Sequence, residues 1–96
     1  MSFIQIIDVH TTKFEEIDAL DRAWELDTAG RSTVRRTIVT RDHDDPNHHV
    51  VVVFFDSHES AMANSDLPET SALAEKIAAL VDGPATFLDL DVVDDR

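Results

Sequence analysis

The sequence predicts an α+β fold in which one four-stranded antiparallel sheet carries two helices on one face. Three observations carry that reading. Val50 to Phe55 are six consecutive β-formers at the end of the run His48 to Phe55; two helix-start patterns each precede apolar residues at helical spacing; and 96 residues suffice for one domain. A strand with one wet face alternates apolar and polar residues, so the run from Val50 to Phe55 requires cover on both faces. Two helices cover one face of so small a sheet. The other is expected to be covered by a partner subunit, giving a homodimer through the sheet face.

Taken in order, Phe3 to Val9 reads as the first strand, with Gln5 and Asp8 the only polar residues in it, too apolar for a water-exposed edge. Thr12-Lys13-Phe14-Glu15 has capping-box spacing and predicts a helix start. Phe14, Ile17, Leu20 and Trp24 then recur on one helical face, and Gly30 supplies a left-handed stop. Ser32 to Arg41 is the second strand, its threonines and arginines marking an edge. Asp42 to Asn47 is dense in turn formers and predicts a hairpin loop into the third strand, His48 to Phe55. Asp56-Ser57-His58-Glu59 repeats the helix-start chemistry, with Ser57 as cap or Asp56 and Glu59 as a capping box. A short helix over about 57–65 breaks between Asn64 and Glu69, because Pro68 lacks a donor and disfavours helical geometry at Leu67. Helical spacing resumes at Leu73, Ile77, Leu80 and Val81 and stops at Gly83-Pro84. Thr86 to Val93 alternates, with Leu88, Leu90 and Val92 on one side and Phe87, Asp89 and Asp91 on the other. The resulting order is β-α-β-β-α-β, the ferredoxin-like arrangement, with no linker inside residues 1–96.

Composition bounds the chemistry. Twenty acidic residues against eight basic ones give a net charge of −12, which opposes binding to nucleic acid or to an anionic membrane. The absence of cysteine removes disulfides, thiolate metal sites and a cysteine nucleophile. No membrane span is visible, and Met1-Ser2-Phe3-Ile4 lacks the pattern of a signal peptide, so a cytoplasmic protein is expected. With two glycines and no tyrosine the chain has no phosphate-cradling loop, and no cofactor is expected.

The opening Phe3-Ile4-Gln5-Ile6-Ile7, the junction Phe54-Phe55-Asp56-Ser57-His58-Glu59-Ser60-Ala61 and the broken helix leading to Gly83-Pro84-Ala85-Thr86-Phe87 resemble the dimeric α+β barrel superfamily. Within it, the chain is similar to the antibiotic biosynthesis monooxygenase-like branch. The resemblance implies one dimeric α+β barrel domain over residues 1–96, with a small-molecule pocket between sheet and helices. It spans several activities: cofactor-independent monooxygenases acting on phenolic or polycyclic substrates, polyketide cyclases and isomerases, haem-degrading oxygenases, and non-catalytic ligand-binding or stress-responsive dimers. Fold alone does not choose among them. Haem degradation is disfavoured: this chain offers Gln5 or Asp8 in place of a first-strand asparagine, Phe54-Phe55 in place of a third-strand tryptophan, and Asn64 where the histidine would stand.

Within that frame His58, in the first turn of the second helix, is either an exposed histidine or the candidate base, because the helix dipole favours its neutral form, with an inward His48 or His49 as the alternative base. Asn64, beside the break, is the candidate orienting group, and Asn64 to Thr70, including Leu67, is the candidate lid. Trp24 is core or a flat wall against an aromatic substrate. His48 and His49 diverge to opposite faces, so one faces pocket or interface and the pair cannot share a metal. His43 among Asp42, Asp44 and Asp45 reads as a solvated turn, and no native metal is expected. Arg35 and Arg36 also diverge; whichever turns inward meets Asp89 or Asp91, meets a substrate anion, or forms an inter-subunit ion pair.

Overall fold

The computed structural model describes residues 2–96. Its elements are β1 (Phe3–His10), α1 (Phe14–Asp27), β2 (Arg36–Arg41), β3 (His48–Phe55), α2 (His58–Ser65), α3 (Pro68–Ala78) and β4 (Thr86–Asp91). The four strands form one antiparallel sheet in the order β2-β3-β1-β4. Polar β2 takes an edge, and the two most apolar strands, β1 and β3, lie at the centre. The second helix is broken as expected: Asp66 and Leu67 separate α2 from α3, and Pro68 opens α3 at a position where its missing N–H costs nothing.

Two local expectations are corrected. Thr12 does not cap α1; Lys13 occupies the cap without a side-chain bond. Its neighbour Thr11 instead accepts from the Lys13 N–H and donates to the Leu80 carbonyl, tying the start of α1 to the end of the second helical layer. A long-range acceptor outcompetes the local box. The second strand begins at Arg36, not Ser32, because the Ser32 and Thr33 side chains bond to α2 and draw the chain away from the sheet. Ser57 is the cap of α2, accepting from the Ser60 N–H.

Register assigns every strand residue to a face. Phe3, Ile7 and Val9 of β1 share a face with His49, Val51, Val53 and Phe55 of β3. That face carries the helices: Phe3 and Phe55 pack with Ala61 of α2, and the His49 ring stacks on Phe14 of α1 with centroids 3.9 Å apart. Phe3 is 3 % exposed and Phe55 4 %. The opposite face presents Ile4, Ile6, Val50, Val52, Phe54, Leu88 and Leu90, and among the described residues no helix lies on it. There Leu88 is 51 % exposed.

The arginines do not meet β4, since β2 and β4 are opposite edges of the sheet. Arg35 pairs with Asp56 at 2.6 Å, and Arg36 lies over the Phe54 ring on the bare face. Among the described residues no helix is long and apolar enough to cross a membrane.

Candidate functional site

The helix layer leaves the inner side of edge strand β2 partly uncovered, and two hollows open there. One, of about 310 Å³, lies beside the C-terminal end of α1 and is lined by Trp24, Thr28, Ser32, Val34, Arg35 and Thr37, among others. The other, of about 430 Å³, lies beside the N-terminal end of α1 and includes Phe14, Lys13, Arg41 and His49.

The first hollow has the more deliberately built wall. It is formed by the end of α1 and the connection to β2, and both halves of the broken helix hold that connection. From α2, Asn64 accepts at its side-chain oxygen from the Ser32 hydroxyl at 3.2 Å, and the Ser60 carbonyl accepts from the Thr33 hydroxyl at 2.5 Å. From α3, the Thr70 hydroxyl accepts from Trp24 Nε1 at 3.1 Å, and Glu69 pairs with Arg31. With 3.6 residues per turn, a straight helix would turn Glu69 and Thr70 away from the face that carries Ser60 and Asn64; the turn at Asp66 and Leu67 brings both pairs onto this wall. The Arg31 guanidinium holds the Glu69 carboxyl below its ordinary range. Burial, reinforced by Glu25 and Asp18, raises the Asp21 carboxyl on α1.

The sequence-predicted residues separate accordingly. Trp24 is a wall, its ring oriented by Thr70. Asn64 is buried at 7 % exposure behind Ser32, so it acts on the hollow through that hydroxyl and does not touch the hollow itself. Leu67 caps α3 and lines neither hollow. His58 is exposed, with its ring edge-on to Phe3 at 5.2 Å, and also lines neither. His49 faces the helices, lines the second hollow and donates from Nδ1 to the Thr40 carbonyl at 3.3 Å. His48 points to the bare face. Ser32 and Thr70 were missed in the sequence reading; no local pattern marks them, since their partners lie 32 and 46 residues away.

Four antiparallel strands with α1 and the broken α2–α3 pair form a ferredoxin-like fold, shared with solved proteins named antibiotic biosynthesis monooxygenases. Solved structures match over nearly the whole chain. SnoaB from Streptomyces nogalater, a cofactor-independent oxygenase solved as an asparagine-to-alanine variant, has a TM-score of 0.83 at 13 % identity, covering 98 % of this chain and 95 % of that one. A candidate antibiotic biosynthesis monooxygenase from Caulobacter crescentus has a TM-score of 0.82 at 11 % identity, covering 97 % and 91 %. A conserved protein from Methanosarcina mazei reaches 0.82 at 9 % identity, covering 94 % and 91 %. At these identities the likeness is one of fold. No family model matches the sequence, and comparison with curated proteins found no match.

Proposed function

We propose that this protein is a homodimer that binds a phenolic or polycyclic aromatic molecule in the Trp24 hollow and oxygenates it without a cofactor. The observation that carries this reading is the Trp24 wall: an indole lining a hollow, its N–H directed away to Thr70, beside a Ser32 hydroxyl held by buried Asn64. An indole face stacks on a fused-ring substrate, and a fixed hydroxyl orients its phenolic oxygen. The fold shared with SnoaB supports the same reading.

In such a reaction the substrate supplies the electrons. Loss of a proton from an acidic ring CH₂ or phenol gives an enolate, which reduces dioxygen and combines with it. The hydroperoxide then loses water, so CH₂ becomes C=O, one oxygen atom entering the product and the other leaving as water. The protein's part is to orient the ring system, exclude water and favour the anion. Arg35, which lines the hollow, suits the last task if a developing phenolate takes the place of Asp56 on its guanidinium.

One observation favours a second reading, binding without turnover: among the described residues no histidine lines this hollow. Oxygen uptake with a panel of anthrones and hydroquinones separates the two. The oxygenase reading expects uptake that falls at least tenfold in Trp24→Ala and in Asn64→Ala, about 1.4 kcal/mol or more of transition-state stabilisation, and is little changed in His58→Ala. Product formed without uptake would assign a cyclase or isomerase. Saturable binding with neither product nor uptake would leave the ligand-binding dimer.

A further inference from the structure

At the end of the bare face where β1 stops and β3 starts lies a polar cluster that the Trp24 hollow does not use. Asp8 and His10 stand two apart on β1 and so face the same way. Register sets His48 of β3 directly across from His10, and Val50 across from Asp8. The His10 and His48 rings stack, with centroids 4.4 Å apart and planes within 5° of parallel. His48 donates from Nε2 to Asp8 at 2.8 Å and from Nδ1 to Asp42 at 2.7 Å. One ligand atom from each of Asp8, His10 and His48 falls within 4.8 Å of the others.

We propose that Asp8, His10 and His48 form a binding site for a divalent transition-metal ion of the zinc type, with Asp42 orienting His48 from behind. Two imidazole nitrogens and one carboxylate are the donor set of open zinc sites. The nitrogens favour such an ion over magnesium or calcium, which take oxygen ligands. The Asp42 carboxylate on Nδ1 fixes the tautomer that leaves Nε2 for a metal, the outer-shell arrangement common to metal-binding histidines. An ion bound here would sit between Nε2 and the Asp8 oxygen, which face each other at 2.8 Å. Two carboxylates around one imidazole ring, in a chain of net charge −12, attract a dication.

The geometry allows closure. Ligand atoms of a tetrahedral zinc site with bonds of about 2.1 Å lie roughly 3.4 Å apart. His10 is exposed with its ring stacked on that of His48, and His48 is held from both sides by Asp42 and Asp8. In the single chain the Asp8 and His48 side chains keep 38 % and 20 % of their exposure. The expectation of no metal considered His48 with His49, which diverge, and His43 among Asp42, Asp44 and Asp45; Asp8 and His10, which converge on His48, stand on the neighbouring strand.

The test is calorimetric titration of the chelator-stripped full chain with zinc chloride, repeated with cobalt(II) and read by its visible absorption. The proposal expects one ion per chain. His10→Ala and His48→Ala each weaken binding at least about tenfold, Asp42→Asn weakens it about 10- to 100-fold with all three ligands retained, and His43→Ala binds as the parent does. Absence of saturable binding, or equal binding by His10→Ala and the parent, would overturn it by showing zinc spread over the acidic surface. If His48→Ala fails to fold by circular dichroism, the exposed His10→Ala variant decides the matter.

Discussion

The two faces of the sheet are built from similar residues and meet different fates. On the helix side, Phe3, Val9 and Phe55 are each at most 5 % exposed. On the other side, equally apolar Ile4, Ile6, Val50, Val52 and Phe54 stay half-buried, and Leu88 and Leu90 are exposed. Apolar burial contributes about 25 cal/mol per Å², so a face of this composition gains free energy only when something covers it. The contrast separates the face that the chain covers itself from the face that the proposed dimer would cover. It also separates two kinds of site: a hollow under the helices and a histidine-carboxylate cluster on the bare side.

Four substitutions break or sharpen that contrast. The largest effect is expected from Val52→Asp at the centre of the bare face. A carboxylate buried unpaired at an interface costs several kcal/mol, so light scattering at micromolar concentration should report a dimer for the parent and a monomer for the variant. A monomeric parent would refute the association. Next is Phe3→Ala on the covered face, expected to lower urea-unfolding stability by about 3–5 kcal/mol; a much smaller loss would mean that the helix side is not the core. Asn64→Ala should cost about 1–3 kcal/mol in the same measurement, since it leaves the Ser32 hydroxyl without its acceptor.

The smallest effect, and the one with a pH signature, is Asp21→Asn on α1. Burial raises the folded-state pKa of Asp21 above its ordinary 3.8, so the folded chain binds this proton more tightly than the unfolded chain does. The ionised carboxyl therefore costs stability at neutral pH. That cost declines as pH falls through the raised pKa and is gone below the unfolded value. Asp21→Asn should raise Tm at pH 7 and lose its advantage on acidification. An advantage unchanged at pH 3.5 would rule out the burial account.

Legibility in the sequence followed the range of the interaction. β3 was readable from end to end because its apolar run is local, and the helix break was readable because Pro68 acts on its own neighbours. The start of α1 was not, since Lys13 occupies the cap and the Thr11 hydroxyl that accepts from its N–H is held by the Leu80 carbonyl, 69 residues from Thr11. Trp24 and Asn64 could be singled out by residue type, yet Ser32 and Thr70, which give them their orientation, become visible only when α2 and α3 fold over the α1–β2 connection. The divergence of His48 and His49 followed from strand alternation, whereas the pairing of His48 with His10 required the β1–β3 register.

Trp24 is the only tryptophan in a chain that has no tyrosine. Its fluorescence is therefore a single-residue signal, free of background from other strong emitters. The indole lines the hollow and is hydrogen-bonded to α3, so one emission spectrum reports two events: arrival of an aromatic molecule, by quenching or energy transfer, and loosening of the helix layer, by a red shift. The protein carries its own optical probe, and a ligand screen can be run on it without a label.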